Sequence, residues 1–501
     1  MASPVDDPTP AAAAPAEPTD DPHLHTRQAG LSLTAFPQSL LHFLPYRLRA
    51  GARDLFGRES QTSVTGRVLA LAWPSVAEQT LVTLIGLVDA YIVGHLGAAA
   101  LAGVGLGGQV LNLVAALFGA VGVGATALVA RHSGAQEPEE AIRLAWQSVL
   151  LAGTLGLAAA AAGWFLAEPM LRWLGAAPDV VTAGTAWLRT VAPSFAFIGV
   201  LLVGNAVLRG AGDTRAPLGV MLVVNVVNVA VAWTLTRGLF GLPNLGVVGT
   251  GLGAASGQIV GGLLVLGMLL RGRGALRLGW RVPRPDRARL GRLLNIGLPA
   301  GAEQVLLQVA LLNLAGIITQ FGTAAYAAHS IGLRITALSF LPGWGFSVAA
   351  TTLVGQALGA RDPERARQST YVAFWMALAV MSAMGAFLFL FERPILGFFT
   401  TDPAVLAAGA IVIRTAALEQ PLLAASFVFS GALRGAGDTR TTMLITVASI
   451  WGLRLVAAYG LGLALGLGIF GAWLAVGIDF GFRAFMFWRR FESGRWLTLK
   501  V

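Results

Sequence analysis

The sequence predicts an all-α integral membrane protein, with twelve transmembrane helices in two pseudo-symmetric six-helix lobes. Three observations predict it. Of 501 residues, 55% are hydrophobic and only 12% are charged, against roughly 25% charged in an average soluble domain. The string Leu-Arg-Gly-Ala-Gly-Asp-Thr-Arg at 208–215 recurs at 433–440, an offset of 433 − 208 = 225. Twelve apolar stretches each reach the ~20 residues that a spanning helix needs.

The offset of 225 is general. It relates Pro74 to Pro299, Glu78-Gln79 to Glu303-Gln304, Gly97 to Gly322, Pro138 to Pro363, Pro169 to Pro394 and Arg189-Thr190 to Arg414-Thr415. A repeat this long, with several apolar segments per copy, is no soluble solenoid. Parallel repeats of this size are one way in which membrane transporters are built. Glycine is abundant, 63 residues, which suits close helix packing in lipid.

Taken in order, residues 1–65 form a tail. Its first thirty residues are rich in Pro and Ala and carry Asp6, Asp7, Glu17, Asp20 and Asp21; they cannot bury enough apolar surface to order themselves. They lack the basic start and apolar run of a signal peptide. Residues 31–46 are apolar but broken by Pro37 and Pro45, and either lie along the inner membrane surface or extend the loose tail. The N-lobe, 66–270, has spans near 68–95, 101–130, 141–166, 181–208, 216–238 and 246–270. A linker at 271–292 holds eight arginines, one acid (Asp286), Pro283 and Pro285. The C-lobe, 293–491, has spans near 293–319, 325–356, 367–391, 404–433, 441–463 and 469–488, and 492–501 is a second tail. Arginines gather before span 1, after the even-numbered spans and in the linker, which puts these segments and both termini in the cytoplasm.

Composition also excludes functions. There is no cysteine, hence no disulfide, zinc–thiolate site or thiol catalysis. The net charge of +10 is almost all arginine, with Lys500 the only lysine; its placement in loops on one side is topological, so no nucleic-acid partner is expected. Nothing resembles a nucleophile–base pair, a metal cluster or a phosphate loop, so the chain does not read as an enzyme.

The doubled string ends one helix and starts the next. Its glycines can take the left-handed conformation that closes a helix, and Asp213 and Asp438 can cap the following one. A cytoplasmic gate clasp is the functional alternative. Together with Leu84-Ile-Gly-Leu-Val-Asp-Ala-Tyr-Ile-Val-Gly94, Gly297-Leu-Pro-Ala-Gly-Ala-Glu-Gln304 and Ser347-Val-Ala-Ala-Thr-Thr-Leu-Val-Gly-Gln356, it makes the chain resemble the multidrug and toxic compound extrusion (MATE) family, in its bacterial DinF-like branch. The resemblance covers residues from about 66 to 491. It implies two six-helix lobes around a central cavity in a bacterial inner membrane. It also implies efflux of organic compounds against an inward H⁺ or Na⁺ flow.

Asp89 is the sharpest candidate. It lies within span 1, and its repeat position (89 + 225) is Leu314. Intramembrane acids are costly and functional by default, although a structurally hydrogen-bonded aspartate is the plainer reading. By the resemblance, the acid matching Asp89 takes the coupling ion and Asn228 neighbours it. Asn225 shares the Asn228 face by i, i+3 spacing. Several family members carry a second aspartate where this chain has Ala232, and a threonine where it has Ala254. Sodium wants several hard oxygen ligands, so the thin set favours H⁺, and no other cofactor is expected.

Glu78 and Glu303 each lie four residues past a helix-breaking proline, Pro74 and Pro299; they either line the cavity, with Gln79 and Gln304, or satisfy groups freed at the kink. Arg334 and Glu419 are polar residues without a match in the first repeat. They are expected in the substrate cavity, paired with each other as a switch or a buried salt bridge. Asp479 and Arg483 pair at i, i+4, and His329 either carries protons or is simply hydrogen-bonded.

The leading function is therefore efflux antiport of amphipathic, cationic organic drugs by a monomer in the lipid bilayer, because buried acids outnumber clear buried bases. A flippase for lipid-linked sugars should tend towards a cationic cavity. A major-facilitator transporter should carry an acidic–basic signature between spans 2 and 3, where this chain reads Arg131-His-Ser-Gly-Ala-Gln136.

Overall fold

A computed structural model describes residues 63–272 and 276–499. The expected disordered tail and interfacial segment, apart from residues 63–65, lie outside the described residues. Twelve helices are long and apolar enough to cross a membrane. They are α1 (Val64–Gly94), α2 (Ala98–Gly134), α3 (Pro138–Phe165), α4 (Pro178–Gly210), α5 (Arg215–Arg237), α6 (Gly246–Arg271), α7 (Arg287–Thr319), α8 (Thr323–Gly359), α9 (Pro363–Leu390), α10 (Pro403–Gly435), α11 (Thr439–Ala464) and α12 (Gly468–Glu492).

The helix ends follow from the sequence and repeat with it. Pro138 and Pro363 open α3 and α9, and Pro178 and Pro403 open α4 and α10, where the missing N–H costs no bond. Gly212 and Gly437, at φ +94° and +87°, close the doubled strings. Two of the three non-glycine residues with positive φ among the described residues recur at the offset: Gln136 and Arg361 both stand at +58°, whereas Phe240 has no such counterpart. Asp213 caps α5 by accepting from the backbone N–H of Arg215 and Ala216 at 3.1 and 3.0 Å. Asp438 departs from this: it accepts from the Thr441 hydroxyl and from Arg490 Nε.

The repeats interlock. Val68, Leu71 and Ala72 of α1 are buried in the core of the second repeat, whereas Leu293 and Ile296 of α7, their counterparts, are buried in the core of the first. Close backbone approaches obey the same exchange. A Cβ at Gly345 of α8 would sit 2.8 Å from Ala72 O, and one at Gly297 of α7 would sit 2.6 Å from Ala120 O; each pair maps onto the other under the offset. At the arginine-rich end α2 and α8 cross tightly. Gly134 packs on the backbone of Gln356, and Gly359 on the backbone of Arg131. The polar contacts between the repeats cluster at this end: Thr352 donates to Arg209 O at 3.1 Å, Gln356 donates to Gly210 O at 3.3 Å, and Arg67 donates to Gln356 Oε1 at 3.4 Å. Towards the opposite end Leu84, Leu87 and Tyr91 of α1 and Leu312 of α7 are exposed.

One boundary differs from expectation, and two features lie beyond what the sequence reading addressed. The seventh helix begins at Arg287, ahead of the expected 293, because Asp286 caps it, accepting from the N–H groups of Ala288 and Arg289 at 2.8 and 3.2 Å. Those bonds, with the neighbouring Arg289 charge, hold the Asp286 carboxyl below its ordinary range. A depressed acid adds stability above its unfolded value near ~4, and that stability is lost as pH falls through the folded value. The linker is docked on α3: Trp146 donates to Leu278 O at 3.0 Å and Gln147 donates to Arg284 O at 2.9 Å. Finally, α11 contains wide π-type turns at Ile450–Arg454 and Ala458–Ala464, whereas its counterpart α5 is α-helical throughout.

The C-terminal tail is anchored as well. Trp496 is fully buried, stacks on Phe491 with ring centroids 4.8 Å apart, and donates to Phe491 O at 2.7 Å. Trp496→Ala should cost about 3–5 kcal/mol, as for other buried aromatics, read as a lower melting temperature in detergent. An unchanged melting temperature would show that the tail is not part of the folded core.

Candidate functional site

The site is built on α1 and α5. Pro74 lies inside α1, where it removes a backbone bond and kinks the helix. Beyond it, α1 runs beside α5 and presents Asp89, which is half-buried. Asn228 Nδ2 donates to Asp89 Oδ2 at 3.4 Å, and Asn225 Nδ2 donates to Leu81 O at 2.7 Å. The other oxygens of these side chains, Asp89 Oδ1, Asn228 Oδ1 and Asn225 Oδ1, are buried without a hydrogen-bond partner. Buried polar atoms are nearly always paired, and leaving one unpaired costs about 1–3 kcal/mol. Asp89 Oδ1 and Asn228 Oδ1, on two side chains in contact, are thus neighbouring acceptors without donors. Ala232 is fully buried, and Gly253 of α6 packs tightly on it, so no second carboxylate enters there. Among the described residues, no group of three or more His, Cys, Asp or Glu could hold a metal ion.

Glu78 and Glu303 are not free cavity acids. Arg209 Nη1 contacts both oxygens of Glu78, at 2.9 and 3.1 Å, and Asn205 Nδ2 lies 3.5 Å away. In the second repeat Arg434 Nη2 donates to Glu303 Oε1 at 2.7 Å, and Thr446 donates to the same oxygen at 2.9 Å. Each arginine belongs to a doubled string, so the pair recurs across the repeats. Each glutamate thus stands in a buried ion pair with an arginine, a partner that the sequence reading named neither in the cavity nor at the kink. Removing one partner of such a pair costs about 3–5 kcal/mol, while replacing both with neutral groups is often near neutral. Glu78→Gln should thus destabilise the protein more than Glu78→Gln combined with Arg209→Gln. Equal losses in thermal unfolding would show that the charges do not act as a pair.

Gln79 is half-buried and Gln304 is exposed. The expected Glu419–Arg334 pair is absent among the described hydrogen bonds: Arg334 is exposed on α8, whereas Glu419 is buried on α10. The reason is that Glu419 faces Gly477 of α12, where a Cβ would sit 3.2 Å from its Oε1. Asp479 does pair with Arg483, at 2.6 Å, and also with Arg454 and Ser449. Sequence reasoning missed Arg454 as a partner, because the wide turn ending at Arg454 is not visible in hydropathy. His329 is buried edge-on against Trp473, centroids 5.6 Å apart.

Comparison with known proteins fits this geometry. The MatE family model matches residues 74–234 and 299–460, once in each repeat. The chain is 31% identical to the probable multidrug resistance protein NorM of Thermotoga maritima, over 89% of this chain and 96% of that protein. It is 32% identical to the multidrug resistance protein PmpM of Pseudomonas aeruginosa, over 79% of this chain and 83% of the relative. The fold is similar to a MATE protein crystallised in complex with MaL6 (TM-score 0.80, 24% identity, 88% of this chain and 98% of that one). It is likewise similar to a MOP superfamily transporter from Pyrococcus furiosus (TM-score 0.81, 24% identity, 90% and 99%).

Proposed function

The chain belongs to the MatE family, and we propose that it exports amphipathic organic compounds, chiefly cations, in exchange for protons, with Asp89 as the proton-binding group. That it is a multi-pass multidrug transporter of the MATE type follows from its relatives. The unpartnered oxygens of Asp89 and of its neighbour Asn228 support the finer reading. A proton on Asp89 satisfies the orphaned carboxyl oxygen and removes a buried charge.

Orientation follows from the arginines. The end carrying the linker and the doubled strings faces the cytoplasm by the positive-inside rule. The tight α2–α8 crossing then closes the cytoplasmic side, and the lobes part towards the outside. In that state Asp89 exchanges its proton with the exterior. Protonation lets α1 repack about Pro74 and displace the drug, since a ligand shifts such an equilibrium only through its different affinity for the two states. Cationic selectivity rests on Asp89 and Glu419, because arginines neutralise Glu78 and Glu303. Dye accumulation in cells tests it: expression should lower retention of lipophilic cationic dyes and leave neutral dyes of equal size less affected. Equal export of both would remove the charge preference.

A further inference from the structure

We infer that the outer end of the first repeat holds a binding site for the phosphodiester headgroup of an outer-leaflet phospholipid. The inference rests on the orientation given above. A cavity of about 620 Å³ opens between the short helix Ala167–Trp173 and α4, lined among others by Glu168, Arg172, Pro178, Thr182, Thr185 and Arg189. Its charge is unbalanced, with two guanidinium groups to one carboxylate. Arg172 pairs with Glu168 at 2.5 Å, which leaves Arg189 at 3.7 Å from that carboxylate and bonded to Trp164 O at 3.3 Å.

The second repeat provides an internal control. Arg414 answers to Arg189, and it holds the buried Glu392 with two hydrogen bonds, one of 2.6 Å from Nε. The position of Arg172 is taken by Gly397, and Arg393, which stands where the first repeat has Glu168, makes no described ion pair with Glu392. The two repeats thus carry the same charges here, two arginines and one glutamate, but the first sets its second arginine on the glutamate and leaves Arg189 less tightly held than its counterpart Arg414. A second feature points into the same cavity: Thr185 is 7% exposed, and its hydroxyl has no partner. A phosphodiester would take charge-assisted bonds from Arg172 and Arg189 and a hydroxyl bond from Thr185.

The surroundings select a lipid over a soluble anion. Trp164, Phe165 and Trp173 flank the cavity at 46%, 73% and 86% exposure. Exposed aromatics at a helix end mark the headgroup level of a bilayer, so the cavity opens where phosphodiesters are anchored by their chains.

The test is native mass spectrometry of the delipidated full chain with phosphatidylglycerol, with an uncharged glucosyl diacylglycerol of the same acyl chains, and with inorganic phosphate. Wild type should retain one phosphatidylglycerol in preference to the glycolipid. Arg172→Gln combined with Arg189→Gln should weaken that retention by about tenfold or more, as expected for lost bonds to a charged group. Arg172→Gln alone changes an exposed side chain and should weaken retention without affecting the fold. Unchanged retention in both variants, or equal retention of the glycolipid by wild type, would overturn the site. Displacement of the lipid by inorganic phosphate would overturn the lipid assignment in favour of a soluble anion. Asp89→Asn should keep the lipid, so a failure here leaves proton coupling untouched, and a failure of coupling leaves this site untouched.

Discussion

Asp89→Asn is expected to fold, to reach the membrane and to lose export against a gradient entirely. The substitution keeps the shape of the side chain and its contact with Asn228, which lies 3.4 Å from Asp89 Oδ2. It removes the only acid of the α1–α5 cluster. An amide can neither take up nor release a proton, so α1 has no signal to repack on and drug release is no longer linked to the external pH. Binding should survive in part, because the substitution removes a single charge and leaves the rest of the chain unchanged. Cells carrying the variant should be as drug-sensitive as cells lacking the transporter, at equal surface expression. Purified protein should still bind a cationic dye, with an affinity that no longer varies with pH. Resistance equal to wild type would move the coupling role elsewhere, and Glu419, buried on α10 with an unpartnered oxygen, would be the next acid to replace.

The second large effect concerns the crossing of α2 and α8. Gly134→Val combined with Gly359→Val should open the arginine-rich end and stop turnover. Any side chain at either position meets the backbone of the other helix, at Gln356 or Arg131, and backbone cannot swing aside as a side-chain tip can. Overpacking costs about 1–3 kcal/mol or more at each site, and here both costs fall on a single crossing at this end. The inward-open state, which lacks the contact, carries no such penalty. The chain has no cysteine, so spin labels on cysteines at Glu139 and Glu364 report the separation directly. Both positions are exposed, and they are related by the repeat. Wild type should show a short separation and the variant a long one. Identical distance distributions would mean that the crossing does not set the conformational balance.

Much of this was legible in the sequence, for a physical reason. A spanning helix must satisfy its backbone internally and be apolar over its length, so composition alone marks it, and the repeat fixes the count in each half. The Glu78–Arg209 and Glu303–Arg434 pairs were visible as duplicated motifs, but their meeting was not. It depends on which faces of α1 and α4, and of α7 and α10, bring long side chains within reach of each other, which periodicity does not report. The glycine crossing is similar: Gly134 and Gly359 stand at matching positions, yet nothing local says that each abuts the other helix's backbone. The Glu419–Arg334 expectation failed because helix-face reasoning cannot place a side chain against a third helix, here α12 at Gly477. Arg454 escaped notice because π-type turns shift the register of α11 without changing its hydropathy.

The central claim is that protons, bound at Asp89, drive transport. The most direct test is uptake of a cationic dye into proteoliposomes under separately imposed pH and sodium gradients, with wild type and Asp89→Asn measured side by side. The account predicts that a pH gradient alone drives wild-type transport, that a sodium gradient alone does not, and that Asp89→Asn responds to neither. Full transport driven by sodium alone, or full pH-driven transport by Asp89→Asn, would contradict it.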